Sequence, residues 1–241
     1  SEMKACKENG VEYIELPICF DALTVAVNPK NDWVSSITVD ELKKIWEPAA
    51  QGKVTHWNHV RPEWPNEKIV LFGAGADSGT FDYFTEAICG KAKASRGDFT
   101  ASEDDNVLVQ GIEGNKYALG YIPFAYYEPH KSKMKAVAIE WSKNTVKTPM
   151  LPSLESVQKG QYNPLSRPLF IYVSDAGLQK PQVVAFADFY LESNADIVEA
   201  ARFIPLTDEQ LKALDAAKGV AFDSRRVQFS FDHTPFGGEG I

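Results

Sequence analysis

Ile69-Val70-Leu71-Phe72-Gly73-Ala74-Gly75-Ala76-Asp77-Ser78-Gly79-Thr80-Phe81 is the stretch that decides the fold. The apolar run Ile69 to Phe72 predicts a short buried strand. It runs without a break into eight small or polar residues, Gly73 to Thr80. A helix then follows, with Phe81, Phe84 and Ile88 as its apolar face and Gly90 as its C-terminal stop. Strand, glycine-rich turn and helix N-terminus form one βα unit. Glycines let a backbone approach a ligand with no Cβ in the way. The first N–H groups of the helix lack intrahelical partners, and with the helix dipole they suit an anion. Ser78 and Thr80 add hydroxyl donors at the same place, although either could simply cap the helix. No Gly-Lys-Ser/Thr follows, so the loop is not a nucleotide-triphosphate cradle. Ser78 also lacks the Gly-x-Ser-x-Gly frame of a nucleophile elbow.

Outward from this unit the alternation continues. Glu12 to Leu16, Leu23 to Val27, Leu119 to Ile122, Ala136 to Ile139 and Leu169 to Val173 predict strands. Thr38-Val39-Asp40-Glu41 is a capping box, followed at helical spacing by Leu42, Ile45 and Trp46, and Pro48 stops the run. Ser102 is placed to cap a helix with Glu103, Asp104 and Asp105 in its first turn. Pro181 opens another helix, with Val184, Phe186 and Phe189 as its apolar surface. Thr207 to Gln210 is a second capping box, whose helix ends at Gly219, and the tail from Phe231 is Gly-rich and extended. Pro149 to Pro168 is rich in Pro and Ser and suits a link between two lobes. The class is α/β with largely parallel sheets, in which ligands sit at the carboxyl ends of strands.

Composition excludes several functions. The 241 residues are 44% hydrophobic and 24% charged, as in an ordinary globular protein. With 25 Lys and Arg against 33 Asp and Glu the net charge is −8, which argues against non-specific nucleic-acid or anionic-membrane binding. No stretch approaches the ~20 apolar residues that span a bilayer. Cys6, Cys19 and Cys89 form no Cys-x-x-Cys pair, so zinc and thioredoxin chemistry are poor fits. Three free thiols are expected, with a Cys6–Cys19 bridge as the alternative. His56, His59, His130 and His233 complete no metal spacing and read as surface residues. Trp33, Trp46, Trp57 and Trp64 fall in one third of the chain and read as packing more than as sugar platforms. Asp77 admits two roles: an acceptor for a protonated oxyanion, or a partner for turn amides or an Arg. Arg96, in Ser95-Arg96-Gly97-Asp98-Phe99, has a guanidinium able to grip an oxyanion, though a lone Arg is more often a surface residue.

Ala76-Asp77-Ser78-Gly79-Thr80-Phe81-Asp82-Tyr83-Phe84 closely resembles the binding motif of the phosphate-binding proteins of ABC transporters. Ser102-Glu103-Asp104-Asp105-Asn106-Val107-Leu108-Val109-Gln110-Gly111 and Leu119-Gly120-Tyr121-Ile122-Pro123-Phe124-Ala125-Tyr126-Tyr127 fit the same family. So do Asp21-Ala22-Leu23-Thr24-Val25-Ala26-Val27-Asn28 and Leu42-Lys43-Lys44-Ile45-Trp46, in the version of the cyanobacterial and related bacterial branch. The resemblance implies an α/β fold like the type II periplasmic binding proteins, two lobes with a hinge that close on one phosphate. Residues 22–167 would be one lobe, and residues 1–21 with 168–241 the other. Ser78, Gly79 and Thr80 match the family's phosphate-gripping Ser-Gly-Thr. The Arg found four residues before that Ser in the best-known branch is Ala74 here, and Arg96 is the candidate replacement. Asp77 beside the motif and Asp21 at the first lobe crossing complete the expected phosphate-binding set. The family's Gly/Ser/Thr-rich opening strand–loop and a phosphate-facing Asp would lie upstream of Ser1. The resemblance therefore implies a shortened chain and an incomplete first lobe.

The expected function is capture of inorganic phosphate in an interlobe cleft and delivery to an ABC transporter permease, in the periplasm or on the outer face of the cytoplasmic membrane. No cofactor, metal or nucleic acid enters this reading, and no bond is made or broken. Two other functions stand beside it. A phosphatase-like enzyme would use Ser78 or Thr80 as nucleophile and would need an adjacent base or metal. A related binding protein would keep the fold and take another oxyanion.

Overall fold

The computed structural model describes residues 2–214. The expected helix stop at Gly219 and the tail from Phe231 lie outside the described residues, as does His233. Along the chain run α1 (Glu2–Glu8), β1 (Tyr13–Val27), β2 (Ser36–Thr38), α2 (Val39–Trp46), β3 (Val70–Ala74), α3 (Gly79–Cys89), β4 (Thr100–Ser102), α4 (Asp105–Gly114) and β5 (Ala118–Pro123). They are followed by α5 (Phe124–Tyr127), β6 (Lys135–Ala136), β7 (Ala138–Glu140), α6 (Leu154–Gln158), β8 (Ser166–Ser174), α7 (Asp175–Leu178), α8 (Pro181–Glu192) and α9 (Asn194–Ala200). The chain divides into two units, Ala22–Ser166 and Ser1–Asp21 with Arg167–Ile241.

In the unit of residues 22–166 the strand order is β4-β3-β5-β1-β6. β4, β3 and β5 are parallel, whereas β1 is antiparallel to both β5 and β6. Period-2 alternation along β5 divides the core. Tyr121 points to one face, where its ring stacks on Phe84 at 3.7 Å and meets Trp46 edge-on at 5.0 Å. Ala118 and Ile122 point to the other, in a cluster with Leu108, Val109 and Ile112 of α4. The sheet is thus covered by α2 and α3 on one side and by α4 on the other. α2 starts where the Thr38–Glu41 capping box closes and buries Val39, Leu42, Ile45 and Trp46. α3 ends at Gly90, whose φ of 83° is a left-handed value that glycine adopts without strain. A separate pair, β2 with β7, is parallel.

In the other unit, residues 13–21 continue β1 and β8 pairs with that strand. Phe20 bridges Ile204, and the Asn194 Nδ2 donates to the Ile18 carbonyl at 2.9 Å. α8 opens at Pro181 and buries Ala187 and Leu191. Phe186 and Phe189, expected as its apolar surface, are 62% and 60% exposed.

Four local expectations change. Glu12–Leu16 and Leu23–Val27 are one strand. The connecting residues Ile18, Cys19, Phe20 and Ala22 are all buried, so no alternation marks them, and Pro17 fits an extended backbone. Ala136–Ile139 splits between two sheets, because the Val137 N–H bonds Val25 while Ala138 and Ile139 pair with β2. α4 is capped by Asp104, whose side chain accepts the Asn106 N–H. Ser102 instead closes the turn before it, with its Oγ accepting the Asp104 N–H at 3.0 Å. Within Pro149–Pro168 lies α6, held by a Ser153–Ser156 capping box.

All three cysteines are free thiols, with Cys19 buried and no Cys6–Cys19 bridge. Burial, then the neighbouring Asp21, pushes the Cys19 thiol up to about 12. Trp46, Trp57 and Trp64 are buried in the core, as packing residues should be. No described helix is long and apolar enough to cross a membrane.

Candidate functional site

β3 delivers the chain to the edge of the sheet beside β4, in register Ala74 with Ser102. The Gly75 N–H then bonds the Ser102 carbonyl at 3.1 Å, and the Ser78 N–H closes a turn on the Gly75 carbonyl at 3.0 Å. Ser78 takes an extended backbone and becomes the N-cap of α3, its Oγ accepting the Thr80 N–H at 3.1 Å. The capping role is therefore real. A ligand role is compatible with it, since a hydroxyl that accepts one N–H still has a proton to donate. Ser78 and Thr80 are half-buried, while Asp77 and Gly79 are exposed. A Cβ at Gly79 would meet nothing within 4 Å, so the space over the helix start is open. The Gly79 N–H, two hydroxyls and the helix dipole all favour an anion there.

The structure sorts the other expected site residues differently. Arg96 is 4% exposed and all three nitrogens of its guanidinium are hydrogen-bonded. Nε and Nη2 hold the two Asp98 oxygens at 2.5 and 2.8 Å, and Nη1 donates to the Ile45 and Val54 carbonyls at 3.0 and 2.9 Å. This corrects the expectation that Arg96 replaces the Arg missing at Ala74. Turning it toward an anion would strand two carbonyls and a carboxylate. Its role is to tie the end of α2 to the segment before β4. The guanidinium in turn holds the Asp98 carboxyl down at about 2.

Among the described residues the Asp77 carboxylate makes no ion pair, so the Arg partner considered for it is not realised. Its backbone N–H donates to Glu103 Oε1 at 3.3 Å. Asp21 belongs to the other unit, where its carboxylate meets Arg167 Nη2 at 3.3 Å. His56, His59 and His130 bond at Thr55, Lys53 and Tyr126, away from Ser78 and Thr80. Among the described residues no three His, Cys, Asp or Glu side chains gather as metal ligands.

Two features escaped the sequence. Glu103 reads as a first-turn acid but reaches back to the Gly75–Ser78 turn, a contact across 26 residues that no local pattern announces. Asp105 is pushed up to about 6, by burial first and then by Asp104 and Glu103. The run of three acids was its only visible signal.

A glycine-rich βα turn presenting a helix amide and two hydroxyls, in an α/β chain of two units, is a site that can receive a small anion. Residues 1–194 match the model of the PBP superfamily domain, and the chain belongs to that superfamily. Its fold is the two-lobe, type II periplasmic-binding-protein-like α/β fold. Over 241 residues it is 50% identical to Protein SphX of Synechocystis sp., covering 100% of this chain and 68% of that one. Phosphate-binding protein PstS of Staphylococcus haemolyticus is 34% identical over 214 residues, 88% of this chain and 64% of its own length. Among solved structures, a "possible phosphate binding protein" from Planctomyces limnophilus superposes with a TM-score of 0.83. It is 44% identical and covers 91% of this chain and 76% of that one. The chain thus spans about two thirds of the length of these curated relatives.

Proposed function

We propose that this chain binds inorganic phosphate outside the cytoplasmic membrane, in the periplasm or on the membrane's outer face, and hands it to an ABC transporter permease. The observation that carries the reading is the start of α3. There Ser78 and Thr80 present hydroxyls and Gly79 its amide over open space, in the motif expected of phosphate-binding relatives. Residues 22–167 are one lobe in this reading, and 1–21 with 168–241 the other. Ser78, Gly79 and Thr80 are the ligands from residues 22–167. Asp77 is a rim residue whose carboxylate can accept a hydrogen bond from a protonated phosphate oxygen, and Asp21, in the other lobe, is a further candidate. Selectivity comes from hydrogen bonds to a desolvated oxyanion and not from net positive charge, which suits an acidic protein.

The relative from Staphylococcus haemolyticus is named as a phosphate-binding protein, and binding without turnover is the chemistry we favour. Calorimetric titration of phosphate, with sulfate and arsenate as competitors, tests the reading. Saturable phosphate heat with none from sulfate is the expected result. A folded chain that ignores phosphate but binds another oxyanion would replace it with the related-binder reading. Turnover of a chromogenic phosphate ester, abolished in Ser78→Ala or Thr80→Val, would replace it with an enzyme.

A further inference from the structure

The Glu103 side chain lies across the anion loop. Its Oε1 accepts the Asp77 N–H at 3.3 Å. A Cβ built on Gly75 would fall 2.0 Å from that same oxygen, 2.8 Å from Glu103 Cδ and 3.4 Å from Cγ. Real Cβ atoms do not approach so closely, so the residue at position 75 and the placement of Glu103 decide each other. The φ of Gly75 is not in the left-handed region, so the glycine is not needed for its backbone angle. What an added Cβ would displace is the carboxylate above it, the far end of an exposed, flexible side chain. The base of Glu103 is itself held: Ser102 pairs with Ala74, and Ser102 Oγ and the Asp104 cap fix the turn on either side.

We propose that Glu103 is a positioning residue for the phosphate loop. It locks the Gly75–Ser78 turn by holding the Asp77 amide, so that the Ser78 and Thr80 hydroxyls and the Gly79 amide stay aimed at one point. Glycine at position 75 leaves the space in which that side chain lies. The inference rests on the reading of residues 78–80 as the phosphate ligands, and it deepens that reading by naming what orders them. Glu103 does not touch the ligand in this scheme. An acceptor oxygen at that place matters, and its charge does not.

A double-mutant cycle on the full chain tests this, with phosphate affinity by calorimetry and Asp77 amide exchange as readouts. Loss of one ordering hydrogen bond in Glu103→Ala should weaken phosphate binding about tenfold. Gly75→Ala should do the same by expelling the side chain. The pair Glu103→Ala with Gly75→Ala should be no worse than either single change, because the added methyl then meets no carboxylate. Glu103→Gln keeps an acceptor oxygen and should bind within about threefold of the parent. Asp77 amide exchange should accelerate in Glu103→Ala and Gly75→Ala and stay slow in Glu103→Gln. Additive losses, or loss of affinity in Glu103→Gln equal to that in Glu103→Ala, would overturn the positioning role. If the parent chain binds no phosphate, the functional reading fails by itself. The exchange pattern then decides the clamp: accelerated exchange in the two alanine variants alone upholds it, and unchanged exchange ends it.

Discussion

Asp105 shows what a single side chain senses. It is the first residue of α4, where a negative charge suits the helix dipole, yet its carboxyl is pushed up to about 6. Burial disfavours the charge, and Asp104 and Glu103 repel it. A carboxyl raised on folding makes the folded state bind its proton more tightly than the unfolded chain does. Its contribution is complete below the ordinary carboxylate range and disappears as pH rises through about 6. Asp105→Asn removes the titrating group, so chemical denaturation of the variant should lose the part of the stability decline between pH 4 and 7 that the parent shows. An identical pH profile for both would mean that Asp105 is not the group responsible. Glu103, two residues earlier, illustrates the complementary lesson. Its type and position predicted a helix-terminus acid, and only folding brings its carboxylate to the Asp77 amide.

At the scale of elements, Arg96 converts a loop into a fixed strut. Its backbone N–H reaches the Trp46 carbonyl at 2.9 Å, its side chain reaches Ile45 and Val54, and Asp98 closes back on the Gly52 N–H at 3.3 Å. The polar connection after α2 is thereby stitched to the approach to β4. Arg96→Ala should cost about 2 kcal/mol or more, since buried carbonyls lose their donors. Phosphate affinity of the folded variant should stay within about threefold of the parent, because the guanidinium faces the protein and not the ligand. A hundredfold loss of affinity at unchanged stability would restore the ligand role instead. The pH signature runs opposite to that of Asp105. Asp98 is held down at about 2, so the pair's stabilisation is full above the ordinary carboxylate range and is lost as pH falls toward about 2. Arg96→Ala should flatten that acid limb in thermal melts.

At the scale of the molecule, ligand binding is linked to stability. Anything that binds only the folded chain raises its melting temperature, by about 2.7 kcal/mol of stability at a hundredfold excess over Kd. Phosphate should therefore raise the Tm of the parent chain, and sulfate at the same ionic strength should not. Ser78→Ala removes a cap, worth about 1 kcal/mol, and with it the hydroxyl proposed as a phosphate ligand. Its Tm should start lower and respond less to phosphate. An equal phosphate shift in the variant would show that Ser78 serves α3 alone.

The elements with a strong local signature were legible in the residue order. The Thr38–Glu41 capping box, the α3 stop at Gly90 and the Pro181 helix start each depend on neighbours within one or two turns, and local chemistry decides them. The strand–loop–helix at Ile69 to Phe84 belongs to the same class, and with it the α/β fold and the position of Ser78, Gly79 and Thr80. Tertiary structure decided what depends on distant residues. The single long β1 is invisible because a run buried on both faces loses its alternation. The split of Ala136–Ile139 depends on which strand lies beside each residue. Arg96 has the chemistry of an anion ligand, and only the carbonyls of Ile45 and Val54 with Asp98 turn it into a structural brace. The bond from Glu103 to the Asp77 amide likewise joins parts of the chain that only folding brings together, because a hydrogen-bonding side chain takes whichever partner the packed backbone places within reach.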